Sequence, residues 1–121
     1  MKRPDNNPKS QYGIVKPPMH LVPPSAKIYL AEGFRDGALK YGPYNWRENE
    51  VAASVYIGAA HRHIDMWWDG EELAEDSNTH HMAHAMSCLA IIVDALETGN
   101  LVDDRPLPGA AAGLIKRLTK D

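Results

Sequence analysis

SNTHHMAHAMSCLAIIVDALETG, residues 77–99, is the stretch whose reading decides the fold. Met82, Ala85, Met86, Leu89, Ile92, Val93 and Leu96 recur at three- and four-residue steps and make one apolar stripe, the signature of an amphipathic helix. Ser77 or Asn78 can cap it, and Gly99 ends it. His81 and His84, three positions apart, project together at the edge of the stripe, while Asp94 points roughly opposite, toward solvent.

Upstream lie two further helical patterns. One begins at about Val51 and ends near Asp69-Gly70; at about 100° per residue, Ala52, Tyr56, Ala59, Ala60, Met66 and Trp67 fall within about 60° of His63, which turns that histidine inward. The other starts at Ser25, repeats Ile28, Ala31, Phe34, Ala38 and Tyr41, and stops at Gly42-Pro43. Six of the nine prolines fall in the first 24 residues, where fixed φ and missing donors resist helix and central strand. Beyond Gly99, residues 103–109 read as a linker. The alanine-rich stretch ending in Lys116-Arg117-Leu118 forms a short final helix or an oligomer contact. The expected fold is all-α, a small bundle of three main helices. Residues 1–24 form a Pro-rich arm, 25–99 the helical metal and nucleotide domain, and 100–121 a linker and C-terminal tail.

A chain of 121 residues is one domain with a small core, so a homo-oligomer is expected. The net charge of −3 and scattered cations exclude a polynucleotide backbone as partner, while leaving enough Lys and Arg to hold a small phosphorylated molecule. Cys88, the single cysteine, forms no internal disulfide and no CxxC pair, which fits a reducing cytoplasm. The N-terminus leads into no apolar signal region, and the longest apolar run, Cys88 to Val93, cannot span a bilayer, so no membrane partner is expected.

Chemistry concentrates between His61 and His84, which hold five of the six histidines together with Asp65, Asp69, Glu71, Glu72, Glu75 and Asp76. Imidazole and carboxylate donors together suit Mn, Fe, Co, Ni or Zn. Alone, His63 reads as a satisfied core histidine and the acids as a hydrated loop. If the second and third helices pack antiparallel, His63 approaches His81 or His84 and the acids share the same corner. Trp67 and Trp68 read as core and interface. Tyr44, Asn45 and Trp46, between Lys40 and Arg47, offer a stacking face, an amide and two cations. Such a loop either recognises a nucleotide or tucks against the core.

Leu21-Val22-Pro23-Pro24, then Lys40-Tyr41-Gly42-Pro43-Tyr44-Asn45-Trp46-Arg47, then Arg62-His63 with Trp67, Trp68, Gly70 and Glu71, then His81-Met82-Ala83-His84-Ala85 follow one another in an order that resembles the N-terminal domain of phage dATP/dGTP diphosphohydrolases. The similarity covers roughly residues 20 to 100. It implies a fold related to MazG-like nucleotide pyrophosphohydrolases, in which acids on neighbouring helices hold divalent ions (Mg, Mn or another transition metal), and it places a phage-encoded protein in the host cytoplasm. Glu71-Glu72-Leu73-Ala74-Glu75 is a literal EExxE, the mark of the first metal helix in that group; no ExxD follows, and His81 and His84 take the i, i+3 relation instead.

The leading expectation is a metal-dependent (deoxy)nucleoside triphosphate pyrophosphohydrolase. Glu71, Glu72 and Asp76 are its catalytic candidates. His63, Glu71, Asp76, His81 and His84 are the metal-ligand candidates, with His63 a ligand or a residue orienting one. Lys40, Arg47 and Arg62 would meet phosphates, and Tyr41, Asn45 and Trp46 the rest of the nucleotide. Two alternatives stand beside it: a protein that sequesters a nucleotide without cleaving it, and a helical interaction module with packed histidines or a structural metal.

Overall fold

A computed structural model of the chain describes residues 5–121. In chain order the elements are α1 (Pro8–Gly13), a 3₁₀ turn (Met19–Leu21), α2 (Pro24–Tyr41), α3 (Asn45–Glu48), β1 (Val51–Ala52), α4 (Ala53–Trp68), α5 (His81–Glu97), β2 (Leu101–Val102) and α6 (Ala111–Leu118). Among the described residues the only sheet is the parallel pair of β1 with β2, so the fold is all-α as expected. Two relationships set its frame. Val51, just before α4, pairs with Leu101, just after α5, while His63 near the end of α4 meets His81 at the start of α5. The two helices are therefore antiparallel.

Small side chains let the helices approach closely. A Cβ on Gly33 of α2 would stand 2.4 Å from the Ala83 carbonyl oxygen and 3.1 Å from the Ser87 Cβ, so only glycine fits where α2 crosses α5. Ala53 and Ala60 of α4 and Ala83, Ala85 and Ala95 of α5 are buried in the same manner. The remaining core gathers around Trp46, Val51 and Ala95, with Phe34, Tyr56, Ile91 and Leu101 packed against them.

The structure departs from the sequence reading in four places. Within the arm, Pro8 starts α1, because the missing N–H of proline costs nothing in a first turn; the Asn7 side chain caps it by accepting from the Lys9 N–H. Residues 1–4 of the arm lie outside the described residues. The second helix starts at Ala53, with Val51-Ala52 drawn into β1 by residues 101–102, part of the expected tail. The third helix starts at His81 and not at Ser77 or Asn78. Glu71–His80 forms a tight hairpin in which Leu73 bridges His80, the Ala74 N–H reaches the Thr79 carbonyl at 2.8 Å, and Asn78 takes φ 58. The His80 ring then caps α5, its Nδ1 accepting from the Met82 N–H at 3.0 Å.

The fourth departure concerns the stripe on α5. His81 and His84, expected at its edge, lie in the middle of the buried face with Ala85, Ser87 and Ala95, whereas Leu89, Val93 and Leu96 are 43%, 59% and 60% exposed. Close approach of α2 selects the small-residue side of α5 and leaves the larger apolar side chains outside. No residue of α6 is buried, and among the described residues no helix is long and apolar enough to cross a membrane.

Candidate functional site

A cleft of about 740 Å³ opens between α2, the 42–46 turn, α4 and α5, a volume in the range of small-molecule sites. Phe34, Tyr44, Trp46, Tyr56 and Ile91 give it aromatic and apolar walls, and Asp36, Lys40, Arg62, His63, Asp76 and His84 give it a charged end. The aromatic part is a continuous cluster: both the Phe34 and Tyr44 rings lie 5.2 Å from Trp46.

At the charged end, the antiparallel packing and the hairpin bring three histidines and one acid together. His63 and His81 face each other Nδ1 to Nδ1 at 2.9 Å, and the other nitrogen of His81, Nε2, is 2.7 Å from Glu71 Oε1. In the neutral tautomer of His81 that suits this contact, Nε2–H donates to Glu71 Oε1, Nδ1 is a bare acceptor, and His63 donates to it from its own Nδ1–H. His63 Nε2 is thereby left with its lone pair. Burial, followed by the neighbouring His84 and His81, pushes His63 down from 6.5 to about 4, so it is neutral at physiological pH. His84 stacks on His63 at 4.6 Å and shares a 2.8 Å hydrogen bond between its Nε2 and Ser77 Oγ. Burial lowers its pKa too.

The neighbouring carboxylates already share a cation. Lys40 Nζ lies 3.0 Å from Asp36 Oδ2 and 3.0 Å from Asp76 Oδ2, and Asp36 is 3.9 Å from His84 Nε2. The hydrogen bonds to Asp76 and then Asp36 raise the Lys40 pKa, and Lys40 in turn lowers that of Asp76. An ammonium thus occupies the space between the two acids where a cation would sit.

The candidate residues divide accordingly. His63, His81 and Glu71 come together as a chain of hydrogen bonds and His84 lies against them, whereas Asp76 turns to Lys40. Among the described residues no three His, Cys, Asp or Glu side chains form a group able to hold one metal ion. Glu72 clamps the hairpin, taking the Trp67 Nε1–H at 3.2 Å and approaching His80 Nε2 at 3.1 Å. The EExxE segment belongs to that hairpin, not to a helix, so its acids do not share a helix face.

In the 42–47 turn, Trp46 is buried and donates Nε1–H to Asp94 at 2.7 Å, Arg47 donates to both Asp94 oxygens, and the Asn45 amide donates to the Gly42 carbonyl. Of the two roles weighed for this turn, the indole and guanidinium serve the one that ties it to the core, while the Asn45 amide closes the turn on itself. Asp94, expected in solvent, is instead its anchor; its partners lie 47 and 48 positions away, beyond the reach of local pattern. Tyr44, held in the left-handed region at φ 56, exposes its ring in the cleft wall, and Tyr41 and Arg62 line the cleft as well. Sequence reasoning missed Asp36 and the cap role of His80. The i, i+4 spacing of Asp36 with Lys40 was the one available signal.

Fold and cleft together define a small all-α protein with an aromatic-walled pocket ending in histidines and balanced charges. The sequence pattern of the dATP/dGTP diphosphohydrolase N-terminal family matches residues 6–105, the whole of this cleft included, and the chain belongs to that family. Comparison with curated proteins and with solved structures gives no match.

Proposed function

We propose that the protein is a metal-dependent (deoxy)nucleoside triphosphate pyrophosphohydrolase that releases pyrophosphate and a nucleoside monophosphate. One observation carries this reading: in a member of the diphosphohydrolase family, a single cleft joins an aromatic wall to a histidine end flanked by Arg62 and Lys40. The base would stack against Tyr44 and Phe34 on the wall that Trp46 backs. Arg62, and Lys40 after exchanging carboxylate for phosphate, would neutralise the phosphate chain. His63, neutral and with Nε2 free, would accept the proton of the water that attacks the α-phosphorus as the bond to the β-phosphate breaks.

The donors present fit a transition ion better than an oxygen cage. His81 would offer nitrogen, with Glu71 behind it as the carboxylate that orients such a ligand, and the nucleotide's own phosphates would supply the remaining donors, since no three side chains among the described residues form a group able to hold the ion. Asp36 and Asp76 are held by Lys40. When bound, a divalent ion would supply charge neutralisation on the phosphates.

Incubation with each dNTP in Mn²⁺, Co²⁺ or Mg²⁺ should yield monophosphate and pyrophosphate, with His63→Ala slower by about 10²-fold or more. Absence of turnover with every nucleotide and metal removes the enzymatic claim. A second reading, nucleotide sequestration without cleavage, is favoured by the hairpin placement of EExxE and by the ammonium between Asp36 and Asp76. Calorimetry showing tight binding with the nucleotide recovered intact would select it.

A further inference from the structure

From His81 to Val93, α5 carries no Asp, Glu, Lys or Arg on any face. A helix without a charged face is a buried helix, yet among the described residues α2 and α4 cover it on two sides and leave a third flank open. The α4–α5 pair turns Tyr56, His63, His84 and Ile91 toward the cleft. At about 100° per residue, the opposite flank of the same pair presents Ile57, Ile64 and Trp68 from α4 beside Leu89, Val93 and Leu96 from α5. These side chains are 40%, 40%, 82%, 43%, 59% and 60% exposed. The outer edges of this two-helix face carry exposed acids, Asp65 on α4 and Glu97 on α5.

A complementary element exists in the same chain. On α6, Leu114, Ile115 and Leu118 share one face, Lys116 and Arg117 flank it on either side, and nothing is buried. Asp104 is pinned to Ser54 at the start of α4, Pro106 and Pro108 stiffen the following linker, which bends at Leu107, and every residue of α6 beyond it is exposed. An apolar face with acidic edges thus matches an apolar helix with basic flanks.

We propose that α6 of a second copy of this chain docks on the α4–α5 face, and that reciprocal exchange makes a dimer. A symmetric pairing of two α4–α5 faces would set acidic edge against acidic edge, whereas α6 brings Lys116 and Arg117 to them. Covering the face also accounts for the uncharged stretch 81–93 of α5 in a small domain.

Light scattering and sedimentation equilibrium on the full chain at tens of micromolar should give twice 13.4 kDa. Val93→Lys on the face and Ile115→Asp on α6 should each weaken the dimer by about tenfold or more, with helical circular dichroism retained. Cross-linking a mixture of ¹⁴N- and ¹⁵N-labelled chains should join Lys116 of one isotope to Asp65 or Glu97 of the other. A monomer overturns the proposal. So does a dimer untouched by Ile115→Asp, which would mean that the faces pair directly, and so do cross-links confined to one isotope, which would mean that each chain covers itself. Ile115 lies on an exposed helix, so this variant keeps the test decisive even if Val93→Lys unfolds.

Discussion

His63 and His81 meet Nδ1 to Nδ1 at 2.9 Å, one contributed by the end of α4 and the other by the start of α5. This pair ties the two helices together and requires at least one neutral ring. His63, at about 4, remains neutral well below the 6.5 of the unfolded chain. Between those values unfolding takes up a proton that the folded state refuses, so stability falls as pH drops from 6.5 to 4 and is unaffected by His63 above 6.5. Denaturant midpoints of chelator-treated protein should decline through that window, and His63→Gln should flatten the decline. An NMR titration placing His63 near 6.5 would refute the assignment.

Gly33 and Gly37 make a paired test on one helix. Gly33→Ala drives a methyl into the Ala83 carbonyl, an overpacked contact against backbone that should cost about 2 kcal/mol or more and lower Tm by several degrees. At Gly37 a Cβ meets nothing within 4 Å, so Gly37→Ala should stabilise α2 by about 0.5–1 kcal/mol. Equal effects of the two substitutions would mean that α2 does not cross α5 at this point.

Asp94 gathers the Trp46 indole N–H and the Arg47 guanidinium, and those hydrogen bonds, Arg47 first, hold its carboxyl below the usual range. Asp94→Ala leaves the buried indole N–H unpaired and frees the 42–47 turn. Lower thermal stability and a shifted Trp emission should follow, along with weaker nucleotide binding through the displaced Tyr44. Asp94→Asn, which keeps an acceptor for the indole, should lose less. Identical behaviour of the two variants would show that the carboxylate is not the anchor.

The number and the C-terminal ends of the three main helices were legible because each repeats apolar residues at helical spacing and stops just before a glycine. The approach of His63 to His81 or His84 was legible on the condition that two helices joined by a short connection return antiparallel, and the fold selects His81 for the hydrogen bond and His84 for the stack. What escaped depends on contacts made at a distance. The two-residue strands have no period to read, and Asp94 finds its partners across the fold. The inward face of α5 was misread because hydrophobicity marked Leu89, Val93 and Leu96, whereas the fit against Gly33 selected Ala83 and Ser87. Glu71 was legible as part of the cluster, but its position behind His81 depends on a hairpin that the EExxE pattern disguised.

Lys40 decides how the two acids of the cleft behave. Its ammonium stands 3.0 Å from both Asp36 and Asp76, holding together two carboxylates that would otherwise repel. Lys40→Met removes that cation while keeping the aliphatic stem, so the Asp76 pKa should rise toward that of an ordinary aspartate and the space between the acids should attract a divalent ion. Mn²⁺ titrations followed by electron paramagnetic resonance, without nucleotide, should show binding several-fold tighter than in the unsubstituted protein. Adding Asp36→Asn should cancel the gain. Triphosphate affinity should move the other way, because the variant has lost a phosphate-neutralising charge. If Mn²⁺ and nucleotide affinities both fall, Lys40 organises the cleft by packing and the acids are not competing for a cation.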